Sequence, residues 1–353
     1  MSLTISVPDS LRMSIEAASG GAQTVLYTAL NQPSFFNIIP AFNGPDVDAG
    51  LPSGLHPMFT VNGVAKTQTL IGAYPGVIKN GELLSLPGQD PANTLNHDQF
   101  VAAARACGTG YHCMSNVEWA GIGQWCRANG FHPRGNTNWG KAHDAIWEAG
   151  RRGDGVAPGT ASGTGRTQSG SGPVSWRHNN NPTGISDLCG NVWEWSPGMR
   201  INAGEIQIIA NNDAALNATD FSSGSSAWKA IDGSSGALVT PGSANTVKYA
   251  TSGTAAYTLV CGSGAAFASM TNPGSTPVGA TALALLKAHG MYPVASSGLG
   301  SDDVFYLDVT SERLPVRSGA WNNGATAGLF ALSLGNGRSD AGSDIGARPA
   351  FVS

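Results

Sequence analysis

Glycine fills 48 of the 353 positions, and this narrows most what the chain can fold into. The share is about twice the ordinary one. Glycine weakens helix interiors and suits turns and close backbone approaches. Many short elements joined by turns are expected, and few long helices. Hydrophobic residues make up 41%, enough for a sizeable core. Charged residues are only 12%, about half the usual globular share. That excludes a disordered acidic chain and a solvated array of Glu- and Lys-rich helices. With 19 Lys and Arg against 23 Asp and Glu, no basic excess exists to neutralise phosphates, so nucleic acid is not an expected partner.

The five cysteines are Cys107, Cys113, Cys126, Cys189 and Cys261. The number is odd and no C-x-x-C pair occurs, so buried reduced thiols are expected rather than a zinc site or disulfide framework. The first residues, MSLTISVPDSLRMSIEAASGG, carry no basic stretch followed by an apolar one, so no secretory signal is expected. No 18-residue apolar run occurs, so no membrane insertion is expected.

Residues 1 to about 45 read as strands, with Thr24–Tyr27 and Phe35–Ile39 as apolar runs around a turn at Asn31–Ser34. Thr69–Ala73 reads as another strand before Tyr74-Pro75-Gly76. Two helices follow. Asn96 caps FVAAARACG, which Gly108 closes. Ser115 and Glu118 form a capping box on WAGIGQWCRANG, with Trp119, Ile122, Cys126 and Trp125 on the buried face and Gly130 at the end. Residues 131 to 185 form a long irregular stretch. Stretches of that length in compact domains are usually functional, or ordered by metal or packing. From 200 to 310 short strand-like pieces recur, such as Glu205–Ala210, Thr246–Ala250 and Tyr257–Cys261, with one helix near Ala280–His289.

Two segments carry the clearest patterns. In GISDLCGNVWEW, Gly190-Asn191 suits a tight turn, and Val192–Trp195 reads as a strand with both tryptophans on one packed side. Glu194 between them needs a partner such as an Arg if it is buried. The second segment runs from Leu314 to Phe351, with VRSGAW at one end and IGARPAF at the other. It holds no His and no Cys, and no Ser beside a base, so it is a poor catalytic segment.

Together the two segments resemble the sulfatase-modifying-factor, or formylglycine-generating-enzyme, branch of the C-type lectin fold. The family patterns are close to G-hydrophobic-x-D-x-x-G-N-V-x-E-W, then R-G-G-x-W, then G-F-R. This chain departs at Ser318, where Gly is usual, and at Ala347, where Phe is usual. The phrase YHCMSNVEWAGIGQWC is similar to a helix of the same family. The resemblance implies an α+β fold of C-type lectin type, formylglycine-generating-enzyme-like in subtype. It divides the chain into an N-terminal β-rich region at 1–64 and a ligand-binding domain at 65–353, with a Gly/Ser-rich insertion at about 200–310. Formylglycine-generating enzymes use a pair of cysteines in the C-terminal segment. Ala320–Arg338 contains none, which disfavours such an oxidase.

The same C-terminal segment more closely resembles the variable proteins of diversity-generating retroelements, those like the phage major tropism determinant. Their segment reads like WNNGxNAGLFALNLNN…NIGFRPAF, with Asn codons randomised at adenines. Here Trp321-Asn322-Asn323-Gly324 leads into Ala327-Gly328-Leu329-Phe330-Ala331-Leu332, then a mixed run, then Ile345-Gly346. VPDSLRMSIEAASGG, SLPGQDPAN and FHPRGN are also similar to this family. Changing the first two bases of AAC or AAT never yields Lys, Glu, Gln, Met or Trp, and none occurs from Asn322 to Asp344.

The resemblance implies a binding protein and not an enzyme, with receptor recognition by a phage or prophage as its setting. The implied variable, ligand-binding positions are Ala320, Asn322, Asn323, Thr326, Ser333, Gly335, Asn336, Gly337, Ser339, Asp340, Ala341, Gly342, Ser343 and Asp344. They are expected to be exposed and adjacent, between buried anchors Trp321, Leu329, Phe330, Leu332, Ile345 and Phe351. The implied partner is a protein or glycan on a target cell surface, and the implied location is a virion, or the host cytoplasm before release. Homotrimer and monomer both remain open. No cofactor is implied, although Asn- and Asp-rich loops would suit a structural Ca²⁺. A structural fibre-tip domain whose C-terminal segment binds nothing is the remaining alternative.

Overall fold

The structure is a computed structural model that describes residues 9–296 and 302–353. The fold is mixed α+β, mostly sheet with few helices. The first described element corrects an expectation. Ser10–Ser19 is a helix, α1, not a strand. The Asp9 side chain accepts from the Arg12 N–H at its start, and left-handed Gly20 closes it. It buries no residue, so no apolar stripe announced it. Residues 1–8, the beginning of the stretch expected as strands, lie outside the described residues.

The expected strands then follow as β1 (Gln23–Tyr27), β2 (Pro33–Pro40) and β3 (Gln68–Gly72). The two capped helices are α2 (His97–Ala106) and α3 (Asn116–Ala128), flanking β4 (Tyr111–Cys113). The cap at Asn96 and the capping box at Ser115 form as read, and Asn96 makes a capping box too: Asn96 accepts from the Gln99 N–H, and Ser115 accepts from the Glu118 N–H. On α3, Trp119, Ile122 and Cys126 are buried, while Trp125 is half-buried. The helix near the end of the insertion is α4 (Ala280–Ala288). All five thiols are free and buried.

Two sheets organise the chain. The smaller has β1, β2 and β3 in order, then the final strand, then β4, antiparallel throughout. Residues on either side of position 64 therefore share one sheet. The larger sheet is built around the C-terminal segment. Its strands include β5 (Trp193–Trp195), β6 (Met199–Asn202), β7 (Glu205–Ile208), β8 (Val304–Leu307), β9 (Glu312–Ser318), β10 (Gly328–Asn336) and β11 (Ile345–Ala347). The chain then enters the smaller sheet as β12 (Pro349–Phe351).

Strand β9 is the spine. One edge pairs with β10. The other pairs with β6 through its first half and with β5 through its second. Strand β11 lies parallel on the far side of β5, and β8 lies parallel on the far side of β10. Alternation along these strands builds two cores. Trp193, Trp195, Val316, Ala331 and Ile345 pack with Phe100 of α2 on one face. Phe305, Leu332 and Leu334 pack with Ile206, Ile208 and Leu286 of the 200–310 region on the other. As read from sequence, the two tryptophans of the GNVWEW phrase share one packed side.

Candidate binding face

The face depends on how the C-terminal segment is locked. Glu194 faces away from its neighbouring tryptophans and meets Arg348, which stands between β11 and β12. Arg348 donates Nε to Glu194 Oε2 at 3.0 Å and Nη2 to Oε1 at 2.7 Å. Its remaining N–H groups reach the carbonyls of Gly72 at 3.0 Å and Ser186 at 2.9 Å. Both side chains are essentially buried. Burial pushes the Glu194 carboxyl up, and the guanidinium pulls it back. Arg317, also buried, pairs with no carboxylate among the described residues. It donates to Asn116 Oδ1 and to the Gly290 carbonyl, and burial pulls it down to about 10.

The turn before β5 orders the long irregular stretch. Gly190 and Asn191 both have positive φ. The Asn191 Oδ1 accepts from the Thr167 N–H at 2.8 Å and from Asn136 Nδ2 at 3.1 Å. Its Nδ2 donates to the Thr167 carbonyl at 3.1 Å. One motif side chain thus ties residues 136 and 167 to the sheet. Packing and hydrogen bonds order this stretch. Among the described residues no group of three or more His, Cys, Asp or Glu side chains is placed to hold a metal ion.

On this frame the anchors Trp321, Leu329, Leu332 and Ile345 are buried. Phe330 and Phe351 are only half-buried. Asn322, Gly335, Ser339, Asp340, Ala341 and Ser343 are exposed, and Asn323, Thr326, Asn336, Gly337, Gly342 and Asp344 are intermediate. Two candidates depart from the expectation. Ala320 is 1% exposed because it packs in the tryptophan core beside Trp321. Ser333 is 6% exposed because β10 is an interior strand, with Tyr306 and Val316 as its row neighbours. Asn323 also has a structural task, since its Oδ1 accepts from the Ala320 N–H at 2.7 Å.

The exposed and intermediate candidates of this stretch fall at both ends of β10. Asn322, Asn323 and Thr326 precede it, and Gly335 to Gly337 close it. The strand's nine residues separate the two groups by about 27 Å. The chain then returns, because the Trp193 N–H donates to the Asp344 carbonyl and Trp193 lies at the Ser318 end of β9. Arg166 joins that return to Trp321. It donates to the Ser343 carbonyl at 2.9 Å and lies over the Trp321 ring at 5.7 Å.

No protein-family model matches the chain, and no curated protein does. Among solved structures, the chain is similar to PvdO from Pseudomonas aeruginosa, at 13% identity over 93% of this chain and 97% of that one, with a TM-score of 0.36. It is also similar to Treponema denticola variable protein 1, at 12% identity over 93% and 98%, with a TM-score of 0.33. At TM-scores this low, fold subtype and function rest on the residues of this chain.

Sequence reading missed a cleft beside Thr326. It encloses about 250 Å³ between the irregular stretch, at His132, Arg134, Thr137 and His143, and the start of β10 at Ala327–Phe330. Asp303 also lines it. The available signal was the irregular stretch itself, flagged for its length but with no single residue marked.

Proposed function

We propose that the chain is a ligand-recognising variable protein of a diversity-generating retroelement, with a C-type lectin fold of the formylglycine-generating-enzyme-like subtype. Its setting is receptor recognition by a phage or prophage, assembled into a virion. The observation that carries this reading is the contrast within one segment. Trp321, Leu329, Leu332 and Ile345 are buried, while most residues between them are exposed or partly exposed. A site built to change must sit on a scaffold that does not notice the change, and exposed substitutions usually cost within about 0.5 kcal/mol. Twelve of the proposed positions meet that condition to some degree, and Ala320 and Ser333 do not. The span of about 27 Å is one that a standard interface, about 800 Å² per partner, still covers.

The oxidase alternative has less support. No cysteine lies in Ala320–Arg338. The thiol nearest the cleft, Cys189, is pushed up by burial and by the carboxyls of Asp303 and Asp144, which opposes thiolate chemistry.

The test is an exchange. Asn322, Thr326, Gly335, Asn336, Ser339, Asp340, Ala341 and Ser343 are replaced together by another set reachable from Asn codons, with Ala320 and Ser333 kept. Adsorption to target cells, or pull-down of surface proteins and glycans, is compared for the two proteins. Ligand choice should change while the melting temperature stays nearly the same. Unfolding of the exchanged protein, or unchanged ligand choice, overturns the reading.

A further inference from the structure

The cleft beside Thr326 ends on a carboxyl group that the fold leaves half-engaged. Asp303 is 6% exposed. Its Oδ2 accepts from the Phe330 N–H at 2.7 Å. Its Oδ1 receives no hydrogen bond among the described residues, yet the side chain lines the open cleft. Gly328 makes the approach possible, because a Cβ there would fall 1.9 Å from that Oδ1. The ionised form of this carboxyl, which grows as pH rises towards 8, has an unused acceptor there, and a cationic donor gains most.

The other groups around the cleft favour positive charge in the ligand. Asp302 is exposed at the mouth. The cation on the wall, Arg134, is already bound to Asp144 at 2.8 Å and to Glu148 at 3.4 Å. His143 shares a hydrogen bond with Thr137 at 2.9 Å, and His132 stands on the same wall. Ala327, Leu329 and Phe330 supply apolar sides. At about 250 Å³ the space is below the roughly 300–1,000 Å³ of ordinary small-molecule sites, and suits one side chain. An aliphatic stem along apolar walls with a charge at its tip is the form of Lys and Arg.

We propose that this cleft receives a lysine or arginine side chain of a protein ligand, its ammonium or guanidinium group meeting Asp303. The inference rests on the binding reading above and narrows it from protein or glycan to a protein with an exposed basic residue. The cleft is lined by Ala325 and Ala327, which flank the proposed variable Thr326, and by other residues that the proposed variation leaves unchanged. It therefore supplies a constant anchor beside a changeable rim, and the rim selects which basic residue is accepted.

The test uses the full chain and small probes. N-acetyl-arginine amide and N-acetyl-lysine amide are titrated near pH 8 and followed by chemical shifts, with N-acetyl-citrulline amide as the neutral isostere and glucosamine as a cationic sugar. The basic amides should saturate, and the citrulline probe should bind at least about tenfold more weakly. Asp303→Asn should lose about tenfold for the basic probes while keeping the Phe330 contact. Ala325→Phe, at the exposed mouth, should block the cleft without entering the core, so it serves if the Asp303 variant does not fold. Equal binding of citrulline and arginine probes, tighter binding of glucosamine than of either amide, or unaffected binding by Ala325→Phe overturns the proposal. The outcomes separate cleanly from the binding reading. If probes fail to bind but the exchange above still changes ligand choice, only the cleft assignment falls.

Discussion

Glu194 and Arg348 stand 154 residues apart and close a two-point contact at 2.7 and 3.0 Å. Arg348 is where the chain leaves the larger sheet and enters the smaller one, and the same guanidinium also holds the Gly72 carbonyl of the smaller sheet. The pair is therefore the joint between sheets. A buried pair loses most when one partner is removed, because the other charge is left unpaired. Arg348→Ala should cost about 3–5 kcal/mol, read as a lower midpoint in denaturant. Arg348→Lys should recover only part, since an ammonium cannot make the fork or reach the Gly72 and Ser186 carbonyls together. An unchanged midpoint for the alanine variant would refute the joint.

Ser318 stands where Gly is usual in the resembling family, and its backbone explains the family's preference. Its φ is +89°, in the region that favours glycine. The hydroxyl compensates by donating to the Gly190 carbonyl at 3.0 Å. Ser318→Ala keeps the strain and loses the bond, whereas Ser318→Gly loses both. The glycine variant should therefore be more stable than the alanine variant, by about 1 kcal/mol. The comparison between variants reads the strain directly, and equal melting points would show there is none.

Much of this was legible in the sequence, and what was not has physical causes. Capping boxes at Asn96 and Ser115 use short-range hydrogen bonds, so spacing alone located both helices. The need of Glu194 for an arginine followed from its place between two tryptophans. The identity of that arginine did not, because Arg317 and Arg348 sit in similar apolar phrases and only the fold aims one of them at Glu194. Helix α1 was missed because it has no buried face, and its capping Asp9 stood in a stretch read as strand. Ser333 was assigned to the exposed set by its place in the family pattern. Its burial comes from β8, a strand brought alongside from the end of the 200–310 region, which no local pattern contains.

Truncation before Leu314 removes most of β9 and all of β10 to β12. That deletes the spine of the larger sheet and an inner strand of the smaller one. It also strips Trp193 and Trp195 of Val316 and Ile345. The truncated chain should be insoluble, or bind an apolar dye without a cooperative melt. A soluble, cooperatively melting product would show that residues before Leu314 fold alone.

Burial pushes the Asp303 carboxyl up to about 8, with Asp302 adding to the rise and the Phe330 N–H opposing it. Its ordinary value is 3.8, so between the two values the folded chain holds a proton that the unfolded chain releases. That contribution to stability is complete below about pH 4 and is lost as pH rises towards 8. Asp303→Asn should remove this slope, so the variant and the parent should diverge with rising pH, the variant being the more stable above neutrality. Parallel stability curves from pH 4 to 8 would show that the carboxyl is not held in its neutral form.

The candidate positions should separate by burial when each is enlarged singly. Asn codons can become Tyr, so tyrosine is a fair test residue. At Ala320, tyrosine would enter the core that holds Trp321, and at Ser333 it would sit beneath the Tyr306 and Val316 neighbours. Overpacking of this kind costs about 1–3 kcal/mol. At Asn322, Ser339 and Ala341 the same residue meets solvent and should stay within about 0.5 kcal/mol. Asn323→Tyr belongs between, because it loses the acceptor for the Ala320 N–H. The measurement is the melting temperature of six single variants under one condition. If Ser333→Tyr and Ala320→Tyr melt with the parent, both positions return to the binding set. If Asn322→Tyr, Ser339→Tyr or Ala341→Tyr unfolds the chain, that position is structural and leaves it.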